Sequence, residues 1–202
     1  MPLLKQIVDT TAFNPKATLP FQLRLKDFEV AIQDIYDFLF DVNQMLLSKG
    51  LHRLDDMLRP AAMSGMLSDM LTASMARHAR VLRENDHFNG HPDLVVQGRY
   101  PNNSVASGTD GVEIKSTRKK GGAVDTHGAR DQWMCVFVYQ TDEVTEPAQD
   151  RAPMKFTEVY LAEVKVSDFR TNSRRGALGT RTATLDRVGI LKLRSNWIYL
   201  PK

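Results

Sequence analysis

The apolar run at residues 133–140 (WMCVFVYQ) is the feature that most limits how this chain can fold. A strand with one wet face alternates apolar and polar side chains, whereas a strand covered on both faces is apolar almost throughout. The run therefore predicts a central strand with a layer of structure on each side. Cys135, the single cysteine of the chain, lies within it, and we expect its thiol to be buried.

Helical periodicity dominates the N-terminal part of the chain. Between Phe21 and Gly50, apolar residues recur at helical spacing with acidic residues between them, which predicts an amphipathic helix. We expect its apolar stripe to pack on the core, with contact to a second subunit as the alternative. A second, methionine-rich helix is expected to follow, with Ser64 as its N-terminal cap.

The other strands are predicted from β-branched and alternating segments. Two short apolar runs, residues 94–96 and 112–114, flank a polar stretch rich in Asn, Ser and Gly, and they predict neighbouring strands. Further strands are expected at residues 156–166, 188–193 and 197–200. The predicted fold class is therefore α/β or α+β, with a mixed β-sheet core flanked by helices and an N-terminal helical region.

Three side chains that carry charge are expected to meet at the two neighbouring strands. Asp93 opens the first strand directly after Pro92, and Glu113 and Lys115 flank Ile114 in the second. Because side chains on a strand alternate between faces, Glu113 and Lys115 point the same way. If the strands pair, Asp93 comes alongside Glu113, and two carboxylates and one ammonium converge on one point.

This pattern, Pro92-Asp93 followed by Glu113-Ile114-Lys115, resembles the PD-(D/E)xK nuclease signature, which is best known from type II restriction endonucleases. The resemblance covers the middle third of the chain. It implies a restriction-endonuclease-like sheet core and Mg²⁺-dependent, sequence-specific cleavage of the phosphodiester bonds of double-stranded DNA. It also implies a homodimer, because two sites must cut two antiparallel strands and a two-fold protein matches a palindrome.

The chemistry of phosphodiester cleavage suits these residue types. A hard divalent cation activates water, neutralises phosphate charge and prefers oxygen ligands. The resemblance implies that Asp93 and Glu113 are catalytic carboxylates that bind Mg²⁺, with the Ile114 carbonyl as a further metal ligand. It implies that Lys115 is the third catalytic residue, placed beside the attacking water, where it orients the water or stabilises charge in the transition state.

Three other acidic residues are candidates for the same site. Asp69 is expected on the second helix, and a helix before the core strands often contributes an acidic residue in this superfamily. Glu84 lies further along the same segment. Asp110 lies three residues before Glu113 and is a rival to Asp93 for the first acidic position. Gly111 follows Asp110, which is typical of a turn, so we prefer Asp93. We expect Asp110 at most to contact the metal ligands rather than the metal.

Basic residues are concentrated towards the C-terminus. The whole chain has a formal net charge of +3 and a pI of about 9.0. From Lys165 onward, arginine and lysine far outnumber the acidic residues, which fits contact with a polyanion such as DNA. The candidate DNA-binding residues lie in the loop after the site strand and in the Arg-rich tail: Arg118, Lys119, Lys120, Arg174, Arg175 and Arg181.

The length of 202 residues suits a single nuclease domain. Its expected segments are an N-terminal helical region at 1–60 with a possible role in dimerisation, a catalytic core at 61–166 and a basic DNA-contacting segment at 167–202. No apolar run approaches the length that spans a membrane, and the N-terminus lacks a signal pattern. With one cysteine, these features predict a cytoplasmic protein with no membrane partner.

Other site chemistries lack their sequence patterns, and two alternative functions stay open. Zinc-type Cys/His spacing, a phosphate-binding Gly-rich Lys loop and a Ser nucleophile elbow are absent from the sequence. A repair, recombination or modification-dependent nuclease of the same superfamily would share the metal site but act on damaged, branched or modified DNA. A non-catalytic DNA-binding protein would use the basic tail and need no metal.

Overall fold

The fold is known from a computed structural model that describes residues 3–171 and 182–202. Its helices are α1 (Leu25–Ser48), α2 (Leu54–Met57), α3 (Pro60–His78) and α4 (Arg187–Ser195). Its strands are β1 (Leu82–Glu84), β2 (Leu94–Val96), β3 (Gly111–Thr117), β4 (Asp125–Thr126), β5 (Gln132–Gln140), β6 (Lys155–Val164), β7 (Phe169–Thr171), β8 (Ala183–Leu185) and β9 (Trp197–Tyr199). Single 3₁₀ turns lie at Thr10–Ala12, Pro101–Asn103, Ala148–Asp150 and Val166–Asp168.

A mixed six-stranded sheet forms the centre of the described structure, in the order β1-β2-β3-β5-β6-β9. Strands β3 and β5 are parallel, and the other neighbouring pairs of this sheet are antiparallel. A smaller sheet has the order β4-β8-β7. The predicted fold class, a mixed sheet core flanked by helices, is therefore confirmed.

Strand β5 is covered on both faces, as its apolar run predicts. Cys135 and Phe137 belong to a core cluster on the face that carries α1 and α3. Met134 and Val136 belong to a second cluster on the opposite face, with residues of α4 and β8. The Cys135 thiol is fully buried, and burial raises its pKa well above the usual value.

The two long helices pack on the same face of the sheet. Helix α1 buries Phe28, Ile32 and Ile35, and α3 buries Leu67 and Leu71, in one continuous core with the sheet. The apolar stripe predicted between residues 21 and 50 thus contacts the core of its own chain. A contact with a second subunit stays a prediction.

Two expectations about helix positions are wrong. Helix α3 begins at Pro60, a residue suited to the first helical turn, so Ser64 is not its cap. The Ser64 hydroxyl instead lies 3.0 Å from the hydroxyl of Tyr139 on β5. Residues 188–193 belong to α4 rather than to a strand, because the Asp186 carboxylate caps this helix by accepting a hydrogen bond from the Gly189 amide at 2.9 Å.

Candidate active site

The site forms where the sheet separates between β2 and β3. The two strands pair over Leu94↔Val112 and Val95↔Gly111, and beyond that point β3 continues beside β5. Two amides on the separated edge of β3 therefore need other acceptors. Asp93 Oδ2 accepts from the Ile114 amide at 2.7 Å, and the Ser68 hydroxyl of α3 accepts from the Ser116 amide at 3.0 Å. Side chains thus hold the separation open.

Asp93, Glu113 and Lys115 come together at this separation. Lys115 Nζ lies 2.6 Å from Glu113 Oε1 and 3.6 Å from Asp93 Oδ2. The side chain of Glu113 is only 2% exposed, while those of Lys115 and Asp93 are 22% and 27% exposed. The alternation of β3 accounts for the shared direction of Glu113 and Lys115, and the end of the β2–β3 pairing places Asp93 beside them.

His91 is a member of the site that the sequence analysis missed. Its Nδ1 lies 3.2 Å from Glu113 Oε2, and its side chain is 15% exposed. Glu113 therefore contacts an ammonium through one oxygen and an imidazole through the other. Residues 92 and 93 form a bend before β2, so no strand alternation in the sequence could have indicated this contact.

Burial and charge shift the pKa values of all three predicted site residues. Burial, and then the charge of Glu113, raise the pKa of Asp93 to about 6, although Lys115 and the Ile114 amide oppose this. Burial alone would raise the pKa of Glu113, but His91 and Lys115 hold it below its usual value. Burial alone would lower the pKa of Lys115, but the two carboxylates raise it. Near neutral pH the site therefore has a charged Glu113 and a charged Lys115.

Two cavities of different character adjoin the site. One, of about 280 Å³, is lined by the carboxylates of Asp69, Glu84 and Asp93 together with polar residues of the turn after β1. The other, of about 440 Å³, is lined by Lys115 and Arg118 and by apolar residues from the start of α3 and the loop after β3. The three site residues thus lie between an acidic cleft and a cavity with basic residues in its wall.

Comparison with known proteins adds no support to the family resemblance, which depends only on the residues quoted above. No protein-family model matches the chain, and no curated protein has significant similarity to it. Within residues 3–171 and 182–202, no helix combines the length and apolarity that crossing a membrane requires.

The donor set fits a hard divalent cation in charge and in atom type. Asp93 and Glu113 provide carboxylate oxygens, and the Ile114 carbonyl is adjacent along β3. Among the described residues, no group of three His, Cys, Asp or Glu side chains is arranged to hold a metal. Mg²⁺ commonly binds through one or two carboxylates and completes its shell with water and phosphate oxygens, which suits such a sparse set.

The other acidic candidates occupy different positions. Asp69 is an exposed residue of α3 that lines the same cleft as Asp93, and Glu84 lies across that cleft at the end of β1. Asp110 instead forms an ion pair with Arg99 at 2.8 Å, and the Tyr100 hydroxyl lies 3.5 Å from its carboxylate. Asp110 therefore orders the loop before β3.

The candidate DNA-binding residues divide into a described and an undescribed group. Arg118 forms an ion pair with Glu143 at 2.6 Å, and Lys119 and Lys120 are exposed in the loop after β3. The remaining candidates lie outside the described residues: Arg174, Arg175 and Arg181.

A second Glu-x-Lys, at residues 163–165 where β6 ends, is a comparison within the same chain. Lys165 Nζ lies 2.6 Å from Glu163 Oε1, the same separation as in the Lys115–Glu113 pair. The side chains of Lys165 and Glu163 are nearly half exposed, at 44% and 49%. Lys165 also lies 3.8 Å from Asp131, but solvent screens these exposed pairs, whereas Glu113 is buried beside Lys115.

Proposed function

We propose that this chain is a Mg²⁺-dependent endonuclease that cleaves double-stranded DNA at specific sequences, in the manner of a type II restriction endonuclease. The observation that carries the proposal is the convergence of Asp93, Glu113 and Lys115 where β3 leaves β2. Each residue type matches a need of phosphodiester cleavage, namely oxygen ligands for a cation and an ammonium beside the reacting water.

In this proposal, Asp93, Glu113 and the Ile114 carbonyl would hold Mg²⁺. The bound ion would supply a water of lowered pKa and would offset charge on the phosphate. The ammonium of Lys115 lies between both carboxylates, so it is held in a position from which it can orient the attacking water. His91 fixes the second oxygen of Glu113 and so limits the rotation of that carboxylate.

The DNA partner and the oligomeric state belong to the same proposal. Lys119 and Lys120 extend into solvent from the loop that directly follows the site strand, where they would contact phosphates of the duplex. A homodimer would place two such sites on the two antiparallel strands. The cytoplasmic location stays a prediction.

The test is digestion of a mapped, unmodified plasmid with Mg²⁺, followed by sequencing of the ends. We expect discrete fragments with a common end sequence. Asp93→Ala, Glu113→Ala and Lys115→Ala should each reduce cutting to background while DNA binding largely persists. The matched controls are Glu163→Ala and Lys165→Ala, which remove the exposed pair of the same spacing and should cut like the wild type.

Three results would redirect the proposal. Cutting that survives in all three site variants would refute the assignment of the site. Cutting that requires damaged, branched or modified DNA would instead indicate a repair, recombination or modification-dependent nuclease. DNA binding without any metal-dependent cutting, together with metal affinity that Asp93→Ala leaves unchanged, would indicate a non-catalytic DNA-binding protein.

A further inference from the structure

Phe88 is a large apolar side chain placed almost wholly in solvent. Its relative exposure is 88%, the highest among the large apolar residues of the described chain. The ring lies in a turn whose other residues are polar, in the sequence Asn85-Asp86-His87-Phe88-Asn89-Gly90. A ring without any polar atom makes no hydrogen bond to water, so it can offer an apolar face to a partner.

The turn that carries Phe88 is fixed by hydrogen bonds. The Asn85 side-chain amide donates to the carbonyls of Pro92 at 3.0 Å and Val105 at 2.8 Å, and its carbonyl accepts from the Val105 amide at 3.0 Å. Within the turn, the Gly90 amide donates to the His87 carbonyl at 2.8 Å. The backbone that carries the ring is therefore held in place, which reduces the entropy lost when a partner binds.

The turn also forms one wall of the acidic cleft. His87 and Asn89, the residues on either side of Phe88, line the same 280 Å³ cavity as Asp93, Asp69 and Glu84. Phe88 itself does not line this cavity, but its two neighbours place it at the rim of the cleft in which a scissile phosphate would lie. A ligand whose phosphate reaches Asp93 would bring its neighbouring bases to the level of this rim.

We propose that Phe88 stacks on a base of bound DNA beside the phosphate that is cut. The inference rests on the proposed nuclease function and adds the residue that fixes the position of the DNA relative to the site. Every base has a π face, so stacking on a phenyl ring tolerates different sequences and can also unstack neighbouring base pairs. Phe88 is thus a positioning residue that makes no contact with the reacting atoms.

The test uses Phe88→Ala and Phe88→Trp in the full chain, with short mixed-sequence DNA duplexes and Ca²⁺ in place of Mg²⁺ to slow cutting. Phe88→Ala should weaken DNA binding about tenfold, as loss of one base–aromatic stack does. The emission of Phe88→Trp should be quenched when DNA binds, after subtraction of the signal of the wild type, which contains Trp133 and Trp197. Val144→Ala and Val144→Trp are the matched controls, because Val144 is 87% exposed in the connection between β5 and β6.

The outcomes separate this inference from the proposed function. Quenching at position 88 but not at position 144, with weaker binding by Phe88→Ala, would support stacking. An unchanged emission of Phe88→Trp on DNA that anisotropy shows to be bound would overturn stacking, while the digestion with the site variants still decides the nuclease function. Concentration-dependent self-association that Phe88→Ala abolishes would also overturn it, because a second copy of the chain would then cover the ring. A wild type that neither binds nor cuts DNA would overturn both.

Discussion

Glu113 is a buried charge whose surroundings explain why it stays ionised. A carboxylate out of contact with water is strongly destabilised unless hydrogen-bonding partners and opposite charges compensate it. Lys115 compensates one oxygen of Glu113, and His91 contacts the other. Removing Lys115 or His91 would leave the Glu113 carboxylate partly uncompensated. The resulting loss of stability exceeds the net stabilisation that the pair itself provides. His91 is not part of the motif predicted from the sequence, yet it contacts Glu113, which is a central residue of that motif.

If Glu113 binds Mg²⁺ as proposed, His91→Ala should weaken Mg²⁺ binding and cutting by about 10- to 100-fold, because outer partners of metal ligands typically contribute that much. The measurement is titration of the metal by calorimetry, together with the rate of plasmid cutting at saturating Mg²⁺. His78→Ala is the control, since the ring of His78 contacts Asp34 at 2.9 Å between α1 and α3. If His91→Ala binds Mg²⁺ as tightly as His78→Ala, His91 does not position Glu113.

At the scale of elements, the separation of β2 from β3 depends on a contribution from α3. The Ser116 amide has the Ser68 hydroxyl as its acceptor, and the Ser116 hydroxyl donates to the carbonyl of Ser64 at 2.7 Å. The helix therefore takes the place of a neighbouring strand along this stretch of β3. Asp69, which follows Ser68, lines the acidic cleft. The same turn of α3 therefore stabilises β3 and lines the cavity.

Ser68→Ala should destabilise the fold by about 1–3 kcal/mol, because it leaves the buried Ser116 amide without an acceptor. Urea unfolding gives the change in free energy, and amide hydrogen exchange should show faster exchange at Ser116. Ser48→Ala is the matched control, since the Ser48 hydroxyl is exposed and donates only to the Met45 carbonyl of its own helix at 2.7 Å. Equal stability of the two variants would contradict the role given to Ser68.

Elements with a long apolar signal could be predicted from the sequence, and so could the short strands β2 and β9, whereas the short strands β1, β4, β7 and β8 were not predicted. The central strand and the first long helix follow from patterns that extend over many residues. Residues 188–193 fit both a strand and a helix, and the choice depends on the capping carboxylate of Asp186. Within the site, strand alternation explains the shared direction of Glu113 and Lys115. The contact of His91 with Glu113 depends on where the β2–β3 pairing ends, and no local pattern specifies that point.

At the scale of the whole molecule, a connection far along the chain from the site ties the sheet to the first helices. The residues between β5 and β6 reach back to α2, where Arg151 forms an ion pair with Asp56 at 3.2 Å and Arg53 donates to the Arg151 carbonyl at 2.6 Å. Asp142 organises the same connection by accepting from the amides of Thr145 and Ala152, both at 3.0 Å. Polar contacts thereby join the sheet to the helical layer.

Asp142 should make the free energy of unfolding depend on pH in the acidic range. Hydrogen bonds from the Thr145 side chain, and then from the amides of Ala152 and Thr145, hold the pKa of Asp142 well below its usual range. A carboxyl with a lowered pKa in the folded state contributes stability above its unfolded pKa of about 3.9, and this contribution is lost as pH falls further. We therefore expect Asp142→Asn to be less stable than the wild type at pH 6, and the difference to shrink towards pH 3.

Urea unfolding across this pH range measures the difference. Asp150→Asn in the same connection is the control, because it makes the same substitution at an exposed aspartate. A difference between wild type and Asp142→Asn that stays constant from pH 6 to pH 3 would show that the Asp142 charge does not stabilise the connection.

The second Glu-x-Lys, at residues 163–165, shows how distant relatives of this chain should be searched for. The two pairs share the Glu-x-Lys pattern and the distance between their charged atoms, yet one pair is nearly half exposed and the other contains a buried glutamate. A search for the Glu-x-Lys sequence pattern alone would retrieve exposed pairs and buried pairs equally well. A search that also requires an aspartate accepting from the backbone of the intervening residue would retain the pair on β3, because Asp93 makes that bond to Ile114.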